Sequence, residues 1–123
     1  MKRFVETDLA TMWLDKDILF FFWKERVSID LSGAKETVAQ RLRLQQGRPQ
    51  RILCKFNGIL HIEKEARHYL LGEGAELVQE LVLIATTPLE LAYSKYISNK
   101  MPLVPTKVFP DMDTAMGYLV QHG

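Results

Sequence analysis

Leu81-Val82-Leu83-Ile84-Ala85 is an apolar run without a polar position, and Thr86-Thr87-Pro88-Leu89-Glu90 follows it directly. A strand with one face in water alternates apolar and polar residues, whereas a strand buried on both faces does not. The run therefore predicts a central strand of a parallel sheet that is covered by helices. Thr87 as N-cap, Pro88 at the first helical position and Glu90 in a capping box predict that a helix begins immediately afterwards.

The same alternation of strand and helix continues on both sides of this run. Arg51–Phe56 is a second apolar strand, and a helical stripe follows it at Ile62, Ala66, Tyr69 and Leu70. Lys107–Phe109 predicts a short final strand before a last helix, which Asp111 caps. Upstream, Asp30 as N-cap and Gly47 as terminator predict a helix from about Leu31 to Gln46.

The N-terminal part predicts a β-hairpin. The apolar runs Leu9–Leu14 and Ile18–Trp23 flank Asp15-Lys16-Asp17, whose residue types favour a turn. The element order is then ββαβαβαβα. It predicts an α/β fold in which the hairpin precedes alternating βα units with right-handed crossovers, and helices flank a mostly parallel sheet.

Length and composition exclude several classes of protein. A chain of 123 residues predicts a single domain over residues 1–123, and its net charge of +1 does not favour a nucleic-acid partner. One cysteine excludes an internal disulfide framework. The longest apolar stretch, Ile18–Trp23, is too short to span a bilayer, and Met1–Glu6 does not resemble a secretory signal. We therefore expect a cytoplasmic protein.

No catalytic constellation is evident. The sequence contains neither a glycine-rich phosphate loop nor a G-x-S-x-G motif, and Cys54 falls inside a predicted buried strand. His61, Glu65 and His68 would share one side of a helix, but surface ion pairing explains them better than a metal does. We therefore expect no enzyme activity, no metal and no cofactor.

Two further groups of residues allow more than one interpretation. Arg41, Arg43, Arg48 and Arg51 cluster around the end of the first helix, where they are expected to complement its dipole rather than bind phosphate. In the hairpin, Phe20 and Phe22 face one way while Phe21 and Trp23 face the other. We predict a homodimer through Phe21 and Trp23; the alternative is that both pack inside their own chain.

The stretch Leu53-Cys54-Lys55-Phe56-Asn57-Gly58-Ile59-Leu60-His61-Ile62-Glu63-Lys64-Glu65-Ala66-Arg67 resembles the strand–loop–helix signature of STAS domains, the bacterial anti-sigma-factor antagonists. The order of elements resembles that family as well. The C-terminal part, Pro105–Phe109 with its Asp-capped helix, is similar to the STAS-like branch related to Sec14-type lipid-binding folds.

The departures from the signature are specific. Asn57-Gly58 stands where the family has Ser-Gly, and Lys64, Glu65 and Ala66 replace Ser-Ser-Gly. Glu65 thus occupies the position of the serine that the family's partner kinase phosphorylates. A serine-kinase switch is excluded there because a glutamate has no hydroxyl, although its charge partly imitates a phosphoserine.

The resemblance implies two functions. The first is a non-catalytic regulatory module that binds a protein partner through Asn57, Gly58, His61, Glu63 and Glu65. The second is a domain that binds a small apolar ligand or lipid, as in Sec14-like proteins. Ligands of parallel sheets lie beyond the carboxyl ends of the strands, which here are marked by Thr86, Thr87 and Phe109.

Overall fold

The structure, a computed structural model, describes residues 3–122. In chain order, its strands and helices are β1 (Arg3–Glu6), β2 (Ala10–Asp15), β3 (Ile18–Trp23), β4 (Ser28–Ile29), α1 (Leu31–Gln45), β5 (Gln50–Lys55), β6 (His61–Ile62), α2 (Lys64–Leu71), β7 (Val78–Ile84), α3 (Pro88–Lys100), β8 (Thr106–Phe109) and α4 (Met112–Gln121). A single 3₁₀ turn at Glu73–Ala75 follows α2. None of the described helices is long and apolar enough to cross a membrane.

Six strands form one sheet in the order β1-β2-β3-β5-β7-β8. The pairs β3·β5, β5·β7 and β7·β8 are parallel, and the pairs of β2 with β1 and β3 are antiparallel. The predicted α/β class with an N-terminal hairpin and a mostly parallel sheet is confirmed, and β7 lies inside the sheet as its apolar run predicts. The hairpin of β2 and β3 does not form the edge of the sheet, because β1 pairs with β2 and is the outermost strand on that side.

The sheet separates two apolar cores. On one face, α1, α2 and α3 cover inward side chains of the central strands, among them Phe21, Trp23, Ile52, Cys54 and Leu83. On the other face, α4 supplies Ala115 and Leu119 and packs on Phe20, Leu53, Val82 and Ile84. The strands β3, β5, β7 and β8 follow one another in one direction across the sheet, so crossovers of the same hand place their three helices on the same face.

The segment before α2 differs from the prediction. His61–Ile62 forms a short strand that pairs in parallel with Ser28–Ile29, and the Glu63 amide donates to the Ile29 carbonyl. These long-range bonds hold the backbone extended and delay the helix until Lys64. His61 therefore does not share a helix face with Glu65 and His68, and residues 3–122 contain no group of three side chains suited to a metal.

Two of the four clustered arginines also differ from the prediction. Arg43 lies in the last turn of α1, where a cation complements the helix dipole. Arg41 and Arg51 are instead buried. The Arg51 guanidinium donates to the Leu119 carbonyl over 3.1 Å, so it joins β5 to α4. The expectation that they complement the helix dipole is wrong for these two residues, because backbone carbonyls of distant elements accept hydrogen bonds from their guanidinium groups.

Candidate functional site

The loop after β5 has an unusual backbone. Asn57 and Gly58 both have a left-handed conformation, with φ of 59° and 72°. Asparagine and glycine are the residues that tolerate this conformation best, and glycine has no Cβ to strain it. The Asn57 side-chain amide donates to the Trp23 carbonyl over 3.1 Å. The loop is thereby tied to the end of β3 and turns sharply toward β6.

A buried carboxylate fixes the same loop from the other side. Glu90 in the first turn of α3 is only 3% exposed. One of its oxygens accepts the Gly58 amide at 2.7 Å, and the other accepts the Thr86 amide at 2.9 Å and the Thr86 hydroxyl at 3.1 Å. Hydrogen bonds to a charged acceptor are stronger than neutral ones. Glu90 therefore joins the carboxyl ends of β5 and β7.

Glu90 is the site residue that the sequence interpretation missed. Thr87 caps α3 as predicted, since its hydroxyl accepts the Glu90 amide at 3.1 Å. A capping box would return the Glu90 carboxylate to the Thr87 amide. Here the carboxylate binds Thr86 and Gly58 instead. The sequence signal, Thr-Pro-x-Glu, was visible, but Gly58 lies 32 residues away and only the fold brings it to α3.

The five residues implied by the resemblance lie on this loop and at the start of α2. Gly58, His61, Glu63 and Glu65 are exposed, and Asn57 is half-buried. Glu63 is the N-cap residue of α2, without a side-chain capping bond, and Glu65 lies in the first turn. The five residues thus lie on one segment in which exposed positions flank the buried Ile59 and Ile62; we call this segment the recognition loop (57–65).

The three strand-end residues do not converge in the same way. Thr86 bonds Glu90 through its amide and its hydroxyl, and Thr87 caps α3. Phe109 packs on the other face of the sheet, with its ring 5.4 Å from that of Tyr118 in α4. The ligand pocket predicted from Thr86, Thr87 and Phe109 is therefore not one shared cavity.

Phe21 and Trp23 lie in the core of their own chain, 7% and 5% exposed, with an edge-to-face contact of 4.9 Å between their rings. Because both side chains are buried, they offer almost no surface to a second copy of the chain. The prediction that the dimer interface lies on Phe21 and Trp23 is therefore not supported. The less covered face of β1, β2 and β3 is the opposite one, with Phe4 of β1 58% exposed and Phe22 of β3 half-buried. The homodimer itself stays a prediction.

An apolar cavity of about 120 Å³ lies between the sheet and the three helices α1, α2 and α3. Cys54 lines it, and burial raises the pKa of the Cys54 thiol to about 12. Arg41 is the one charged residue in the lining. Its guanidinium donates to the Gln45 side chain and, over 2.7 Å, to the Gly74 carbonyl. The cavity and the recognition loop share one residue, Ile62, which lies within 57–65 and lines the cavity.

The fold is similar to that of a solved structure. A solved structure titled as an uncharacterized protein of the DUF3478 family with a SpoIIAA-like fold, from Shewanella loihica PV-4, superimposes with a TM-score of 0.67. The alignment covers 94% of this chain and 98% of that one at 14% identity. This likeness shows the fold alone, and it agrees with the STAS resemblance of the sequence.

The family follows from the sequence itself. The profile described as "Domain of unknown function (DUF7793)" matches residues 12–123, so the chain belongs to the DUF7793 family. The match extends from β2 to the C-terminus and includes the recognition loop, Glu90 and the cavity residues. No curated protein matches the chain.

Proposed function

We propose that this STAS-like protein is a non-catalytic regulatory module that binds a protein partner through the recognition loop. The single observation that carries the proposal is the fixation of an exposed loop by a buried carboxylate. Glu90 accepts three hydrogen bonds from Gly58 and Thr86. The loop residues His61, Glu63 and Glu65 are exposed. A loop that is already ordered loses little conformational entropy when a partner binds it.

Apolar surface beside the loop supports the same role. Leu60 in the loop is 53% exposed, and Leu89 in the first turn of α3 is 52% exposed. The bond from Gly58 to Glu90 keeps these two segments adjacent. Exposed apolar side chains rimmed by polar ones are typical of protein-interaction surfaces. The acidic residues Glu63 and Glu65 would form the rim and favour a partner with basic groups.

The module would work without phosphorylation at this loop. Glu65 stands at the position of the family's phosphorylated serine, and 53–74 contains neither serine nor threonine. A permanent carboxylate carries one negative charge, which is less than that of a phosphoserine. We propose that the partner recognises one constant state of the loop, and that the protein acts in the cytoplasm of a bacterium.

The test places a photo-crosslinking amino acid at His61 in the recognition loop. A matched control carries the same amino acid at Asp113, which is exposed on α4 at the other side of the sheet. After irradiation in the native host, we expect one discrete crosslinked protein from position 61 and none from position 113. Replacing Leu60 with Glu should abolish that crosslink. Crosslinks from position 113 alone, or identical patterns from both positions, would contradict the proposal.

A homodimer through the hairpin is a separate proposal, and it would use the face of Phe4 and Phe22. Phe4 on β1 and Phe22 on β3 lie on the same face as Trp13 of β2, the strand between them, and α4 leaves this face partly uncovered. Sedimentation at tens of micromolar, a concentration suited to an interface of standard size, should show a dimer that Phe4→Glu converts to a folded monomer. A monomeric unmodified protein would end this proposal.

The alternative function, binding of a small apolar ligand, is favoured by one observation. The cavity of about 120 Å³ is lined almost entirely by apolar side chains, as ligand sites usually are. It lies under α2 and α3 rather than at Thr86, Thr87 and Phe109. The ligand-binding alternative is therefore proposed for this cavity and not for the strand ends.

A further inference from the structure

The cavity between the sheet and the helices is lined by residues of α1, α2 and α3 as well as of the sheet. Its wall includes Phe21, Ile52, Cys54, Leu83, Leu70 and Ile97. Its volume of about 120 Å³ is close to that of cavities that hold a single aromatic ring, which is about 150 Å³ in a known case. Such a void costs packing energy when it is empty, since its walls lose their contact partners.

Arg41 is unusual in this wall. Its side chain is 3% exposed, and its two described acceptors, the Gln45 side chain and the Gly74 carbonyl, are both neutral. Within residues 3–122, no carboxylate forms an ion pair with it, and the charge of Glu76 acts on it only from a greater distance. Buried cations are normally paired because desolvation of an unpaired charge is costly. Burial lowers the pKa of Arg41 to about 10, which reflects the same cost.

We propose that the cavity binds a compact apolar monocarboxylate, with its hydrocarbon part in the void and its carboxylate on the Arg41 guanidinium. The proposal rests on the ligand-binding alternative. A guanidinium has five donors in a planar fork, so the two described bonds leave donors for a carboxylate. The anion supplies a directly hydrogen-bonded charge, which Glu76 does not provide, and the hydrocarbon fills a space that water occupies poorly.

A route into the cavity lies between α2 and α3. A shallow apolar groove on the outside shares Ile62, Leu70, Leu71 and Ile97 with the cavity. The rim of the groove carries Arg67 and Tyr93. Separation of these two helices would widen access to the cavity without disturbing the sheet. Ile62 is the one residue of the recognition loop in this groove, and the bond from Gly58 to Glu90 lies outside both linings.

The first experiment compares benzoate with benzamide by isothermal titration calorimetry on the full chain. The two probes have the same shape, but only benzoate is charged. We expect benzoate to bind about tenfold more tightly or better, as a charge-assisted hydrogen bond provides. Equal affinity for the two probes, or no binding of either at millimolar concentration, would overturn the proposal.

The second experiment uses a matched pair of variants on one helix. Arg41→Met should remove the preference for benzoate and leave benzamide binding unchanged. Arg43→Met, at an exposed position of the same helix, should leave both affinities unchanged. If both variants reduce benzoate binding equally, the anion binds the surface and the proposal is wrong.

Cys54 gives a readout that needs no variant and does not depend on whether Arg41→Met folds. It is the chain's one cysteine, and it lines the cavity. Saturating benzoate should slow its reaction with methyl methanethiolsulfonate, an uncharged reagent, at least severalfold at fixed pH. An unchanged rate would overturn the assignment of the site. Failure here leaves crosslinking at His61 unaffected, so the two proposals fail separately.

Discussion

Glu90 offers the most direct test of how the recognition loop is held. Its carboxylate accepts three hydrogen bonds, two from the backbone amides of Gly58 and Thr86 and one from the Thr86 hydroxyl. In Glu90→Gln, the side-chain amide nitrogen must face either the Gly58 amide or the Thr86 amide. A donor then faces a donor, and the charge is lost. In Glu90→Ala, all three donors lose their acceptor.

The size of the effect follows from burial. A hydrogen bond to a charged group contributes about 1.5–3 kcal/mol, and an unsatisfied buried group costs a similar amount. Gly58 and Thr86 lie at the surface, so water can replace part of what Glu90 provides. We therefore expect Glu90→Ala to lower the free energy of unfolding by about 2–4 kcal/mol, and Glu90→Gln by about 1–3 kcal/mol.

Urea denaturation measures these losses, and Asp113→Asn is the matched control. Asp113 also lies in the first turn of a helix, but it is exposed, so its loss reports only the helix dipole, about 0.3–1 kcal/mol. Hydrogen exchange should show that the amides of Gly58 and Thr86 lose protection in both Glu90 variants. The reasoning is refuted if Glu90→Gln costs no more than Asp113→Asn and both amides stay protected.

Three further predictions concern the core. Leu83→Ala should cost about 2–5 kcal/mol in urea denaturation, since Leu83 is fully buried in a central strand; a loss below about 1 kcal/mol would contradict that burial. Gly33→Ala should destabilise by about 1 kcal/mol, because its Cβ would displace a Leu9 methyl carbon and crowd the Asp30 carboxylate that caps the helix. Gly117→Ala has open space around its Cβ and should stabilise by about 0.5–1 kcal/mol. Equal effects of the two alanines would refute the close contact. Burial raises the pKa of Cys54 from 9.0 to about 12, so the folded chain keeps a proton that the unfolded chain loses. The stabilisation is complete below about pH 9 and is lost as the pH rises toward 12, by up to about 1.4 kcal/mol per pH unit. Cys54→Ala should reduce this decline, and an identical pH dependence in the variant would show that the thiol is not its source.

Local sequence patterns predicted the elements well. Asp30, Thr87 and Asp111 each cap the helix that follows, and each side chain accepts an amide three residues ahead. The unbroken apolar run at 81–85 predicted a strand inside the sheet, and β7 is there. These predictions succeed because capping and burial on both faces of a strand depend on residues close together in the chain.

The sequence by itself thus determined the order of the elements, the helix starts and the α/β class. Only the tertiary structure decided which face of the hairpin is covered, because period two defines two faces and the crossovers choose between them. It also decided the roles of two charged residues. Arg41 binds the Gly74 carbonyl 33 residues away, and Glu90 binds the Gly58 amide 32 residues away. From sequence alone, a charged side chain is expected to be solvated. It can be buried only where the fold brings backbone groups from distant segments to hydrogen-bond with it.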